Sequence, residues 1–176
     1  MSRGLGDVYK RQGEQWAWKP DDKLKSEKEC IHTLLQTVGG DGNLLFNVGP
    51  MPDGRIEARQ VDILAGMGRW LSINGEAVYG TQGGPYLPGE AMVSTHKGNK
   101  IYLHLLKSPG KKLRLPIDKG ISVKSAHFLN DNTSLEVQAG DNGITVILPK
   151  KLPDEIASVI VLTLDRPASE INLIKL

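Results

Sequence analysis

Two stretches of this chain gather residue types that do chemistry. In the first, Trp16-Ala17-Trp18 runs straight into Lys19-Pro20-Asp21-Asp22-Lys23. A carboxyl group acts as an acid near neutral pH only when its pKa is raised, and burial against an indole or beside a second carboxylate raises it. Asp21 and Asp22 have both a neighbouring carboxylate and, in Trp18, a neighbouring indole in sequence. The plainer reading is a solvated Pro-Asp turn whose acids pair with Lys19, Lys23 and Lys25. The second stretch is GGDGNLLFNVGP from Gly39 to Pro50, continuing through MPDGRI to Ile56. A glycine-rich stop, an apolar run and a Pro-Gly turn follow one another there. Asn47 falls near the C-terminal end of the apolar run, where parallel α/β barrels do their chemistry. It reads equally as a polar layer inside such a barrel. Gly49, Pro50, Asp53 and Gly54 read as turn residues.

Helices and strands must hold these stretches in place. Ser26 and Glu29 have capping-box spacing, and Ile31, Leu34, Leu35 and Val38 recur at helical intervals until Gly39 and Gly40. The pattern predicts a helix from about Ser26 to Val38. Leu44, Leu45, Phe46 and Val48 form an apolar run without alternation, which predicts a parallel strand covered on both faces. A second helix is predicted from Glu57 to Ile73, with Val61, Leu64, Met67, Gly68 and Leu71 along its apolar stripe, ending at Asn74 and Gly75. Helix, strand, loop and helix in this order fit the closing segment of a (β/α)8-like barrel.

Beyond Tyr79 the texture changes through Gly80, Gly83, Gly84, Pro85, Pro88 and Gly89, a cluster that marks a domain boundary. From there the period is two. Ile101, Leu103 and Leu105 alternate with their neighbours, as do Leu113, Leu115 and Ile117, then Leu135 and Val137, then Ile144, Val146 and Leu148. Asp141, Asn142 and Gly143 predict a tight hairpin, and Ile156–Leu164 and Ile171–Ile174 predict further strands. An antiparallel β-sandwich of roughly 85 residues follows. The expected organisation is a non-native leader over 1–12, the C-terminal part of a barrel over 13–83, and a β-sandwich over 84–176. The leader, MSRGLGDVYKRQ, reads as a translated adapter sequence and is set apart from the fold.

Composition excludes several function classes. The chain has 176 residues, of which 22 are basic and 20 acidic, so no field strong enough to hold nucleic acid is expected. A single cysteine, Cys30, excludes an internal disulfide or a cysteine-cluster metal site. It falls in the first helix, where packing explains it. His32, His96, His104 and His127 lie too far apart in sequence for metal-ligand spacing. No apolar run approaches the ~20 residues of a membrane helix.

Taken together, QWAWKPDDKLKS at Gln15–Ser26, GGDGNLLFNVGPMPDGRI at Gly39–Ile56 and WLSINGEAVYGT at Trp70–Thr81 resemble the C-terminal part of α-L-fucosidases of glycoside hydrolase family 29. The resemblance implies a catalytic (β/α) barrel followed by a β-sandwich, and removal of terminal α-L-fucosyl groups from glycans with retention at the anomeric carbon. Retention uses two carboxyl groups ~5 Å apart, one as nucleophile and one as acid and then base. No metal or organic cofactor is implied. The family's nucleophile is an aspartate on an earlier barrel strand, absent from these residues, so the chain alone is expected to be inactive. In some members the acid/base is a glutamate a few residues after an aromatic-x-aromatic sequence, and the matching place after Trp16-Ala17-Trp18 is Asp22, one methylene shorter. Glu14 is a weaker candidate. Trp16 and Trp18 would offer apolar faces to fucose, and Asn47 is the third candidate substrate contact. Leu44 stands where some relatives carry a ring against the sugar's methyl group. Relatives imply a secreted, periplasmic or lysosomal parent. The alternatives are a sandwich that binds glycans without cleaving them, or a structural protein; a binding sandwich needs exposed aromatics, and after Leu87 only Tyr102 and Phe128 are available.

Overall fold

A computed structural model describes residues 7–176. Strand β1 (Asp7–Arg11) leads through a long loop to helix α1 (Glu27–Gly39), strand β2 (Asn43–Asn47), and helix α2 (Ala58–Asn74). A 3₁₀ turn over Gly75–Ala77 follows, and then come only strands: β3 (Gln82–Gly83), β4 (Met92–Lys97), β5 (Lys100–Leu105), β6 (Lys112–Leu115), β7 (Val123–Phe128), β8 (Val137–Gly140), β9 (Gly143–Ile147) and β10 (Ser158–Leu164).

The sandwich consists of a five-stranded antiparallel sheet ordered β3-β4-β5-β10-β7 and a three-stranded antiparallel sheet ordered β6-β9-β8. Between them lie Ile101, Leu103, Leu105, Ile160, Leu162 and Leu164 from the larger sheet, and Leu113, Leu115, Ile144 and Val146 from the smaller. This is the alternation read from the sequence, with inward positions two apart. The hairpin predicted at Asp141–Gly143 joins β8 to β9, with Gly143 at φ 151 and Leu115 O so near that a side chain there has no room.

The larger sheet is covered on its second face as well. Val93, Tyr102, Val159 and Val161 pack against Cys30, Ile31 and Leu35 of α1 and Met67 and Trp70 of α2. Helices, large sheet and small sheet therefore form three layers with two apolar seams. Ser26 caps α1 as predicted: its hydroxyl accepts the Glu29 N–H while the Glu29 carboxylate accepts the Ser26 N–H.

Four observations differ from expectation. Residues 7–11, set apart from the fold with the leader, form β1, which pairs in parallel with β2 in the register Val8↔Leu44 to Arg11↔Asn47. Val8 and Tyr9 favour extended backbone, and β2 offers an edge for them to satisfy; Met1–Gly6 lie outside the described residues. Second, β2 is covered on one side only. Phe46 packs against the helix layer, but Leu45 is 54% exposed and its neighbour Tyr9 57%, because no described element lies over that face. Third, α2 buries Gln60, Met67 and Trp70, with Ile63 and Leu71 half-buried beside them, whereas Val61, Leu64 and Gly68 face outward. The largest apolar side chain, Trp70, chooses the face. Fourth, Ile171–Ile174 forms no strand: a 3₁₀ turn at Ala168–Glu170 precedes a single bridge from Ile174 to Tyr86. Among the described residues no helix is long and apolar enough to cross a membrane.

Candidate functional site

Strands β1 and β2 run the same way, so both end on one side of the molecule, and the loops that follow them meet there. The Gln12 N–H, directly after β1, donates to the carbonyl of Asn47 (3.2 Å). The Gln12 carbonyl accepts the Lys25 N–H (2.8 Å), which closes residues 12–25 into a loop whose two ends touch. The Gln12 side chain is buried and donates to the Gln60 carbonyl in α2 (3.3 Å).

Trp16, Trp18, Asp22 and Asn47 are brought together by this loop. The Asn47 amide, at the end of β2, donates to the Trp16 carbonyl (2.9 Å). Trp16 is 52% exposed, and its ring carries the Arg11 guanidinium 6.0 Å from its centroid, a cation–π distance. Gly49 lies against the backbone of the same loop. A Cβ there would stand 2.4 Å from the Trp18 nitrogen and 2.8 Å from the Ala17 carbonyl carbon, so only glycine permits the approach. The Trp18 indole N–H donates to Glu57 Oε2 (3.0 Å).

Asp22 is not solvated; it is 5% exposed. Its Oδ2 accepts the Glu14 N–H (3.1 Å), and Gly13 lies alongside that oxygen with no space for a side chain. Its Oδ1 faces Lys19 Nζ at 3.9 Å, while Lys19 pairs more closely with Glu14 at 3.3 Å. The Asp22 carbonyl accepts from Arg59 of α2 (3.3 Å). Asp21 is exposed, at φ 56, in the left-handed region. Leu44 lies on the opposite side of β2 from Asn43, Leu45 and Asn47, since successive side chains alternate across a strand.

Glu57, Arg59, Gln12 and Gln60 complete the cluster, and none of them stands among the site residues expected from sequence. Gln12 falls within the presumed leader. Glu57 and Arg59 are joined by an ion pair. That guanidinium, together with the Trp18 N–H, holds the Glu57 carboxyl below its ordinary value. Among the described residues no three His, Cys, Asp or Glu side chains converge as a metal site requires. The sandwich presents no aromatic platform of its own, since Tyr102 and Phe128 are both buried.

The family model for α-L-fucosidase matches residues 9–76. The chain is 32% identical over 161 residues to tissue α-L-fucosidase of Bos taurus, covering 84% of this chain and 34% of the relative. It is 30% identical over 154 residues to the human tissue enzyme, covering 80% of this chain and 32% of that protein. Among solved structures, α-L-fucosidase isoenzyme 1 from Paenibacillus thiaminolyticus superposes with a TM-score of 0.83 at 30% identity, over 92% of this chain and 40% of that one. An α-L-fucosidase of glycoside hydrolase family 29 from Bacteroides thetaiotaomicron, trapped as a covalent intermediate with 2-fluoro-fucosyl fluoride, superposes with a TM-score of 0.81 at 26% identity, over 90% and 38%. The chain thus spans about a third of the length of the curated relatives it matches.

Proposed function

The chain belongs to the α-L-fucosidase family, glycoside hydrolase family 29, and from that membership we propose that it forms the C-terminal part of a retaining enzyme that removes terminal α-L-fucosyl groups from glycans. The observation that carries this reading is the meeting of Trp16, Trp18, Asp22 and Asn47 where two parallel strands end. In the proposed parent, β2 is the last strand of a (β/α)8 barrel and α2 the helix after it. Three features support that placement. The outer edge of β2 pairs with no strand among the described residues. Its uncovered face carries Asn43, Leu45 and Asn47, as a strand facing a barrel interior would. The outward Val61 and Leu64 of α2 would meet a neighbouring barrel helix.

The half-exposed ring of Trp16 and the face of Trp18 offer flat apolar surfaces suited to the methyl group and ring hydrogens of fucose, and Asn47 fixes the loop that carries them. The nucleophile belongs to an earlier barrel strand of the parent, so these residues alone do not turn over substrate. Asp22 is the acid/base candidate. Its geometry supports a second reading, because Oδ2 already clasps the Glu14 N–H and the carboxylate holds the loop shut. Leaving groups separate the two roles. In a protein that carries this chain and its upstream barrel strands, Asp22→Asn should slow hydrolysis of α-L-fucosides with basic leaving groups far more than of nitrophenyl fucosides if Asp22 gives the proton. An equal loss for every leaving group assigns Asp22 to the loop clasp.

A further inference from the structure

Glu57 breaks a local rule. It occupies the N-cap of α2, where Ser, Thr, Asp or Asn is preferred, and its side chain makes no capping bond. The carboxylate turns away from the helix instead. One oxygen accepts the Trp18 indole N–H at 3.0 Å, and the other pairs with Arg59. Arg59 in turn donates to the Asp22 carbonyl at 3.3 Å. A helix start that forgoes its own cap in order to hold a loop is the kind of local inconsistency that marks a functional position.

An indole on a loop has two side-chain torsions to fix. Packing of Gly49 against the Trp18 backbone fixes where the residue starts, but not which way the ring faces. The Glu57 acceptor fixes the ring, because the indole has a single N–H and its direction sets the plane. Arg59 fixes Glu57, so ring, carboxylate, guanidinium and the Asp22 carbonyl form one chain of contacts from the start of α2 across the loop.

Building on the α-L-fucosidase reading, we propose that Glu57 is a positioning residue that orients the Trp18 indole so that its face meets the sugar ring. Glu57 touches no reacting atom; it acts through Trp18, and Arg59 acts through Glu57. A planar surface held at a fixed tilt binds a pyranose better than a swinging one, since the rotamer freedom is lost before the ligand arrives.

The test uses the 176-residue chain, ¹⁵N-labelled on its indoles, titrated with L-fucose. The three tryptophans, Trp16, Trp18 and Trp70, give three indole signals, and Trp70, buried against the large sheet, reports whether the fold is intact. In the wild type, fucose is expected to move the Trp18 signal. Glu57→Ala should shift that signal in the free protein, leave the Trp70 signal in place, and weaken the Trp18 response about fivefold to tenfold, the net worth of one ordinary hydrogen bond. Glu57→Asp keeps the charge but falls one methylene short and should behave like Glu57→Ala. Glu57→Gln keeps an acceptor oxygen and should restore much of the wild-type response. If fucose moves the wild-type Trp18 signal and both Glu57→Ala and Glu57→Asp respond as the wild type does, the positioning role is overturned while the sugar-site reading stands. If fucose moves no tryptophan signal of the wild type, the sugar-site reading fails and the inference fails with it.

Discussion

Gly49→Ala is the sharpest perturbation of the loop cluster. The added Cβ would stand 2.4 Å from the Trp18 nitrogen, about 1 Å short of ordinary contact, and the three atoms it meets all belong to backbone. No side chain can swing aside, so the 12–18 loop must lift away from β2. A shift of that size takes the Asn47–Trp16 bond from 2.9 Å out of hydrogen-bonding range. Overpacking costs about 1–3 kcal/mol and the lost bond about 1 kcal/mol, so roughly 2–4 kcal/mol in all, limited to the lower end where the loop peels off locally. With a urea slope of about 2 kcal/mol/M, the unfolding midpoint should fall by about 1 M or more. Urea unfolding followed by far-ultraviolet circular dichroism measures it, and tryptophan emission reports the displaced loop. Gly68→Ala is the matched control: it lies on the open side of α2 with nothing within 4 Å, so better helix propensity should stabilise by up to about 1 kcal/mol. A Gly49→Ala midpoint within about 0.2 M of wild type, with unchanged emission, would refute the close approach of β2 and the loop.

Other perturbations probe the scaffold. Ser26→Ala removes the capping hydroxyl of α1 and should cost about 1 kcal/mol in thermal or urea unfolding. Below the ordinary glutamate range this deficit should shrink, because the Ser26 backbone and hydroxyl bonds hold the Glu29 pKa down and their contribution fades as Glu29 protonates in the folded state. His104 gives a second pH signature. Thr95 donates its hydroxyl proton to the Ala77 carbonyl (2.6 Å), so its oxygen accepts from His104 Nε2 (3.0 Å), and Nδ1 is left bare inside the protein. Burial pushes the imidazole down to about 3. The unfolded chain therefore takes up a proton near pH 6.5 that the folded chain refuses, and stability should fall by up to about 1.4 kcal/mol per unit as pH drops from about 6.5 toward 3. Urea midpoints at several pH values should show a shallower slope in His104→Leu than in wild type; equal slopes would refute the buried neutral ring.

What the sequence revealed, and what it hid, follows from which side chains carried the signal. Helix α1 was legible because Ser26 and Glu29 cap it locally, and the sandwich because one buried seam imposes a period of two. Strand β4 was missed because both its faces are buried, and its Ser94, Thr95 and His96 look polar while bonding inward to Tyr86, Ala77 and Gly83. Strand β7 was missed because Lys124 and Ser125 are exposed, and of its apolar residues Ala126 is small and Val123 only partly buried, leaving Phe128 alone as a large core side chain. Trp16, Trp18, Asp22 and Asn47 were named by the motif, and their assembly depends on a loop closed through Gln12 and Lys25. Glu57 escaped notice because its partner Trp18 lies 39 positions away in sequence; its one local clue was an acidic residue at a helix start without a short-chain cap.

The proposed role of the β1 and β2 ends, in a site where α-L-fucosides are cleaved with retention, is open to a single measurement: ¹H NMR of the first sugar released from an aryl α-L-fucoside by a protein carrying this chain together with its upstream barrel strands. Two displacements through a covalent intermediate predict that α-L-fucose appears first and only later equilibrates with the β-anomer. No release of fucose, or the β-anomer first, would rule out that role.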